Sequence, residues 1–157
     1  MKEKIYIDTD VILNVVFERK PFFYDSQKIL SLIEKNYFIG FTSSLILANC
    51  YYIISSNKNE NVAAKTISKL RSILTILPFT DKEIGESLNS KIKDFEDGIQ
   101  YFITINNGLA TIITRNISDY KNIDINVFMP NGFLNLEKIR KLIELKQHNK
   151  TLEQTSS

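Results

Sequence analysis

Cysteine and histidine each occur once in this sequence, and both scarcities exclude chemistry. The lone cysteine, Cys50, cannot form an internal disulfide, and its place inside an apolar run reads as a buried free thiol in a reducing compartment. The lone histidine, His148, lies in a polar stretch near the C-terminus, so no histidine base is expected. No segment approaches the ~20 apolar residues that a membrane-spanning helix needs. The opening Met1-Lys2-Glu3-Lys4-Ile5-Tyr6-Ile7-Asp8 also lacks the apolar core of a secretory leader. No membrane association and a cytoplasmic location are therefore expected. An excess of one charge is missing too: 20 basic and 18 acidic residues leave a net +2, which excludes a uniformly cationic, duplex-coating surface. Any contact with nucleic acid must be local. There is no internal repeat and no linker.

What is present fits one globular domain. The chain has 157 residues, 43% hydrophobic and 24% charged, enough for a single core and too few for two. We expect a domain over residues 1–147 and a frayed polar C-terminal tail over 148–157.

Along the chain, short apolar β-prone runs alternate with helical periodicity. Ile5-Tyr6-Ile7 reads as a central strand ending at Asp8. Strands are also expected at Phe38–Phe41, Leu74–Phe79, Thr111–Thr114 and Val127–Met129. Between them, Pro21 fits the start of a helix carrying Tyr24, Ile29, Leu30 and Ile33 and ending near Asn36. Thr42, Ser43 and Ser44 supply capping groups for a helix over Leu45 to Ile54. Val62, Ile67, Leu70 and Leu74 mark an amphipathic helix. Thr80-Asp81 caps one bearing Ile84, Leu88 and Ile92, and Asp94 caps another that ends at Asn106-Asn107-Gly108. Leu134 to Leu145 forms a closing helix. This alternation predicts an α/β fold of three layers, α/β/α, with a central, mostly parallel sheet covered on both faces.

In such sheets ligands bind beyond the carboxyl ends of the strands. The residues there are Asp8 and Asp10, Thr42 and Ser43, then Thr114, Arg115, Asn116 and Asp119, joined by Asp97 if its helix begins at the same edge. Clustered carboxylates repel one another unless a cation neutralises them, and hard oxygen ligands select Mg²⁺ or Mn²⁺. Such an ion lowers the pKa of a bound water and stabilises charge on a phosphoryl oxygen, the two requirements of phosphodiester hydrolysis.

The stretches 5–14 (IYIDTDVILN), 42–44 (TSS), 94–100 (DFEDGIQ) and 114–120 (TRNISDY) together resemble the successive motifs of PIN domains. Those are metal-dependent ribonucleases, many of them VapC-type toxins of bacterial toxin–antitoxin pairs. The resemblance covers residues 4 to about 135. It implies a parallel sheet of strand order 3-2-1-4-5. It makes Asp8, Asp97 and Asp119 metal-site carboxylates, places the Thr114 hydroxyl beside the metal's water, and gives Asn116 a supporting hydrogen bond. It further implies an RNA substrate, a protein antitoxin encoded nearby that occupies the acidic cleft, and pairing into a homodimer through helices. The chain departs from the family where a glutamate is usual in the helix after the second strand; Asn49 stands there. Asn49 can offer a carbonyl oxygen but no charge, and either Asp10 or Glu96 could restore it.

Plainer roles compete at each position. Asp8 could be a turn residue, Asp94 a helix cap with Asp97 at its third position, and Asp119 a local turn former. Glu96 lies roughly 100° around a helix from Asp97, so one of the two should be peripheral. Lys138, Arg140, Lys141 and Lys146 read as a solvated helix face, which leaves Arg115 as the better phosphate contact. Two other functions stay open. One is a phosphatase of the haloacid dehalogenase type, for which Asp8-Thr9-Asp10-Val11-Ile12 has the two aspartates but ends in isoleucine. The other is a catalytically degraded PIN-like domain that binds RNA or a protein without cutting.

Overall fold

The first strand, β1 (Lys4–Ile7), has Ile5, Tyr6 and Ile7 fully buried because parallel strands flank it on both sides. A computed structural model describes residues 1–156; Ser157 of the expected tail lies outside the described residues. The other strands are β2 (Ile39–Ser43), β3 (Thr75–Leu77), β4 (Thr111–Ile113) and β5 (Asn126–Phe128). Every pairing is parallel and the order is β3-β2-β1-β4-β5, the order that the resemblance to PIN domains implied.

The described residues also form eight helices. They are α1 (Thr9–Val16), α2 (Phe23–Glu34), α3 (Ser44–Asn57), α4 (Glu60–Ile73), α5 (Asp81–Leu88), α6 (Phe95–Asn106), α7 (Pro130–Leu134) and α8 (Glu137–Thr155), with a 3₁₀ turn at Ile117–Tyr120. From β1 to β2 to β3 the chain steps one way across the sheet. It then returns past β1 to β4 and steps the other way to β5. Right-handed crossovers in opposite directions place helices on opposite faces, which yields three layers. The reversal falls between β1 and β4, and in parallel sheets that point opens a crevice at the carboxyl edge.

Local chemistry sets most boundaries. Ser43 caps α3 by accepting from Ile46 N at 3.2 Å, and Thr80 and Glu83 form a reciprocal capping box at α5. Four expectations need correction, the first being that α5 ends at Leu88, which is 69% exposed, and leaves Ile92 outside the helix. Pro21 does not start a helix: it follows a cis peptide bond, and α2 begins two residues later. Tyr24 is 61% exposed, leaving Ile29, Leu32 and Ile33 to carry the buried face of α2. The closing segment is two helices, since α7 ends at Leu134 and α8 continues to Thr155. Residues 148–155 are thus helical; backbone hydrogen bonding persists past Ile143, the last buried position of α8, although the side chains are solvated.

Two glycines allow close approach. A Cβ on Gly40 would lie 2.6 Å from Leu74 and 2.7 Å from Ile33, and one on Gly98 would lie 2.1 Å from the Ser87 Oγ. The first keeps helices against β2, the second seats α6 on α5. Cys50 is buried, and no helix among the described residues is long and apolar enough to cross a membrane.

Candidate active site

Asp8 and Thr114 stand one step beyond the register pair Ile7 and Ile113, at the carboxyl ends of β1 and β4. The backbone N–H of Asp8 donates to the Ile113 carbonyl at 3.1 Å, which fixes its position relative to β4. Its carboxylate caps α1, accepting from Thr9 N at 2.7 Å, and also accepts the Thr114 hydroxyl at 2.8 Å. That hydroxyl is also 3.2 Å from Asp10, so the two aspartates share a single proton donor. Asp10, in the first turn of α1, takes the backbone N–H of Arg115 on both oxygens, at 3.1 and 3.0 Å. Thr114 in turn accepts from Asn116 N at 3.0 Å, which closes the start of the loop after β4.

The facing wall comes from α6. Asp94 is its N-cap, accepting from Asp97 N at 2.9 Å, so the capping role read from the sequence is the one it performs. Asp97 is left directed at the crevice, where its carboxylate accepts from the Tyr120 hydroxyl at 3.4 Å and neighbours Asp119. Asp119 sits in the 3₁₀ turn and accepts the Asn116 side-chain amide; Asn116 also accepts from Ser118 at 3.2 Å. From α3, the Asn49 amide donates to Glu96 at 2.7 Å.

Crowding these acids has an electrostatic consequence. Burial, and then the neighbouring charge of Asp10, push the Asp8 carboxyl up to about 7. Burial, then Asp8, then the neighbouring Asp119 push Asp97 up to about 8. Burial also raises Asp10, opposed by the Arg115 backbone N–H, by Thr114 and by the Arg115 charge. The hydroxyls of Tyr6 and Tyr120 are raised, chiefly by burial and then, for Tyr120, by Asp8 and Asp97.

These groups cannot all ionise near neutral pH without a counter-charge, and the donor set is carboxylate oxygen, which suits Mg²⁺ or Mn²⁺. Two buried polar atoms without a hydrogen-bond partner, Thr9 Oγ1 and Gln100 Nε2, belong to the same region: Thr9 separates the two aspartates, and Gln100 follows Glu96 by one turn of α6. As the side chains stand, no three His, Cys, Asp or Glu residues among the described ones converge on a single ion position. The acids meet instead in pairs. The residues fit a divalent cation by charge and by donor chemistry.

Of the positions singled out from sequence, Asp8, Asp10, Glu96, Asp97, Thr114, Asn116 and Asp119 gather at this edge, and Asn49 reaches it through Glu96. Glu96 is half-buried and accepts the Asn49 amide, and its charge is the least of the influences that raise Asp8, Tyr6 and Cys50. Arg115 is half-buried; its guanidinium lies 4.1 Å from the Phe22 ring centroid and donates to Asn14 at 3.0 Å. Asn14, Phe22, Tyr120 and Gln100 had no role in the sequence reading. Asn14 is fully buried, donates to Ser26 at 3.1 Å and anchors Arg115; Gln100 accepts from Tyr6 and from Ser43, the latter at 3.2 Å. A polar residue on an apolar helix face was the one signal that could have marked Asn14 and Gln100. Lys138, Arg140 and Lys141 are exposed as expected, Lys138 pairing with Glu3 at 3.1 Å and Lys141 with Glu137 at 2.6 Å, whereas Lys146 is half-buried, donating to the Asn36 carbonyl at 3.0 Å over the Tyr37 ring.

Comparison with known proteins points the same way. The family profile described as PIN domain matches residues 4–118. Ribonuclease VapC1 of Aquifex aeolicus is 28% identical over 136 residues, covering 83% of this chain and 93% of that protein. Among solved structures, VapBC2 of Rickettsia felis bound to a DNA fragment from its promoter superimposes with a TM-score of 0.63 at 19% identity, covering 80% of this chain and 98% of the other. VapC20 of Mycobacterium tuberculosis, a toxin that cleaves the sarcin-ricin loop, gives 0.61 at 10% identity, covering 78% and 98%.

Proposed function

The chain belongs to the PIN domain family, and from that premise we propose that it is a Mg²⁺- or Mn²⁺-dependent endoribonuclease, the toxin of a toxin–antitoxin pair acting in the cytoplasm. The observation that carries the proposal is the gathering of Asp8, just past the end of β1, and Asp97, in the first turn of α6, at one crevice, near enough that the Asp8 charge raises the Asp97 carboxyl while Asp10 raises that of Asp8. The ribonuclease relative supports RNA as the substrate, and the toxin–antitoxin complexes of the same fold support a protein antitoxin.

Asp8, Asp97 and Asp119 would hold the ion, with Asn49, Asp10 and Glu96 as further candidates. When bound, the ion supplies a water of lowered pKa and a counter-charge for the phosphoryl oxygens. The chain's own residues do the rest. Thr114 orients Asp8 and, by donating to it, favours the ionised carboxylate. Asn116 steadies Asp119. Arg115, braced by Phe22 and Asn14, keeps a permanent positive charge beside the acids, where an RNA phosphate needs one. The acidic crevice also attracts a basic segment of an antitoxin, which would compete with the metal and RNA.

The test is cleavage of assorted RNAs, including a circular one, by the purified chain with Mn²⁺ or Mg²⁺ and with an Asp8→Asn control. Metal-dependent cuts that vanish in the control are expected. Tight RNA binding with no cleavage under any metal would replace this proposal with a non-cutting RNA-binding domain.

A further inference from the structure

We propose that Glu96, held by Asn49, is the acid that joins Asp8 and Asp97 in the cation site, while Asp10 serves as a clamp for the loop after β4. The proposal rests on the metal-dependent function above and says which side chain completes its site.

Asp10 is committed elsewhere. Both its oxygens accept the Arg115 backbone N–H and one also faces the Thr114 hydroxyl, so its charge is matched to the loop that carries Thr114, Arg115 and Asn116. Ligating an ion would cost those bonds and free the loop.

Glu96 has the opposite character. Its Oε1 takes one hydrogen bond, from Asn49, and Oε2 accepts no protein donor among the described residues. In the first turn of α6 a glutamate would otherwise sample many rotamers. The Asn49 amide, arriving from α3, selects one of them through a charge-assisted bond. The selected carboxylate lies one turn before Gln100 on the side of α6 that meets the carboxyl edge of the sheet, since Gln100 accepts from Tyr6 of β1 and, at 3.2 Å, from Ser43 at the end of β2. A neutral amide on α3 thus contributes a negative charge indirectly, by orienting one from α6. Asn49 is a positioning residue and Glu96 the group it positions.

The experiment is Mn²⁺ titration of the full chain by calorimetry, without RNA, with folding checked by circular dichroism and by thermal midpoint in EDTA. Glu96→Gln is expected to weaken Mn²⁺ binding at least ~10-fold, as loss of one ligand charge from a hard-cation site does. Asn49→Ala should weaken it by roughly 10-fold, the scale of losing an orienting partner. Exchanging the pair, Asn49→Glu with Glu96→Asn, keeps one acid and one amide in hydrogen-bonding reach, and should return affinity to within about 3-fold of the wild type. Asp10→Asn should lower the thermal midpoint in EDTA, as loss of its two bonds to the Arg115 backbone N–H frees the loop after β4.

Wild-type affinity in folded Glu96→Gln, alongside loss in Asp8→Asn, would overturn the role of Glu96 and leave the proposed function intact. A folded exchange variant that stays as weak as Glu96→Gln would overturn the pairing. Unchanged affinity in Asp8→Asn, or no Mn²⁺ binding by the wild type, would overturn the function and this inference together.

Discussion

The hydroxyl of Thr114 donates to the Asp8 carboxylate across 2.8 Å, tying the ends of two neighbouring strands that 106 positions of sequence separate. Thr114 is fully buried and Asp8 nearly so, so this bond is shielded from competing water. It is therefore a sensitive place to perturb both the charge state of Asp8 and its direction.

Thr114→Val keeps the shape and removes the donor. A hydrogen bond to a charged group is worth ~1.5–3 kcal/mol, so RNA cleavage at neutral pH should fall by about 10- to 100-fold. Thr114→Ser should retain most activity. Equal activity in the valine and wild-type proteins would remove Thr114 from the site.

The raised carboxyls make the metal-free fold sensitive to pH. Asp8 and Asp97 hold a proton more tightly when folded than at their ordinary value of 3.8, with folded values of about 7 and 8. The stability they contribute is complete below the ordinary value and is lost as pH rises through the folded ones. In EDTA the thermal midpoint should drop between pH 5 and pH 9, Asp8→Asn should shrink the drop, and Mn²⁺ should reverse it near pH 8. An identical pH slope in wild type and Asp8→Asn would contradict the crowding of these acids.

Gly98→Ala tests the seat of α6. The added Cβ would lie 2.1 Å from the Ser87 Oγ and 3.1 Å from its Cβ, so α6 must shift, at a cost of about 1–3 kcal/mol. Chemical denaturation should report that loss, and Ser87→Gly in the same chain should recover part of it. Because Asp97 precedes Gly98, cleavage should fall further than stability alone explains; a variant with lower stability and full activity would uncouple the seat from the site.

Arg115→Lys preserves charge but not shape. A lysine cannot reproduce both the stacking on Phe22 and the bond to Asn14, so the positive charge loses its fixed position. RNA affinity, measured on an uncleavable substrate across a salt series, should weaken several-fold with little change in salt slope. Arg115→Glu should weaken it far more; unchanged binding in that variant would exclude Arg115 from the RNA contact.

Much of the fold was legible because its rules are local. Ile5-Tyr6-Ile7 announced a central strand, and Asp94 announced a cap because the group it binds, Asp97 N, is three residues away. The two-part closing segment was harder to read, since the break at Asn135 and Leu136 carries neither proline nor glycine, and α8 extends well beyond its buried face. Pro21 misled because proline chemistry suits a helix start as well as the cis turn that it occupies here.

By itself the sequence determined the period and polarity of each element, and hence a parallel sheet with acids and hydroxyls gathered along its carboxyl edge. It could not decide what each acid does there. Asp10 lies two residues from Asp8 but is committed to the Arg115 backbone, while Glu96, facing away from Asp97 on a helical wheel, takes a hydrogen bond from Asn49 on another helix. Those partners lie 47 and 105 positions apart. No local pattern encodes such distances, because they are fixed only when crossovers bring separate elements to one edge and each buried polar group takes the partner within reach.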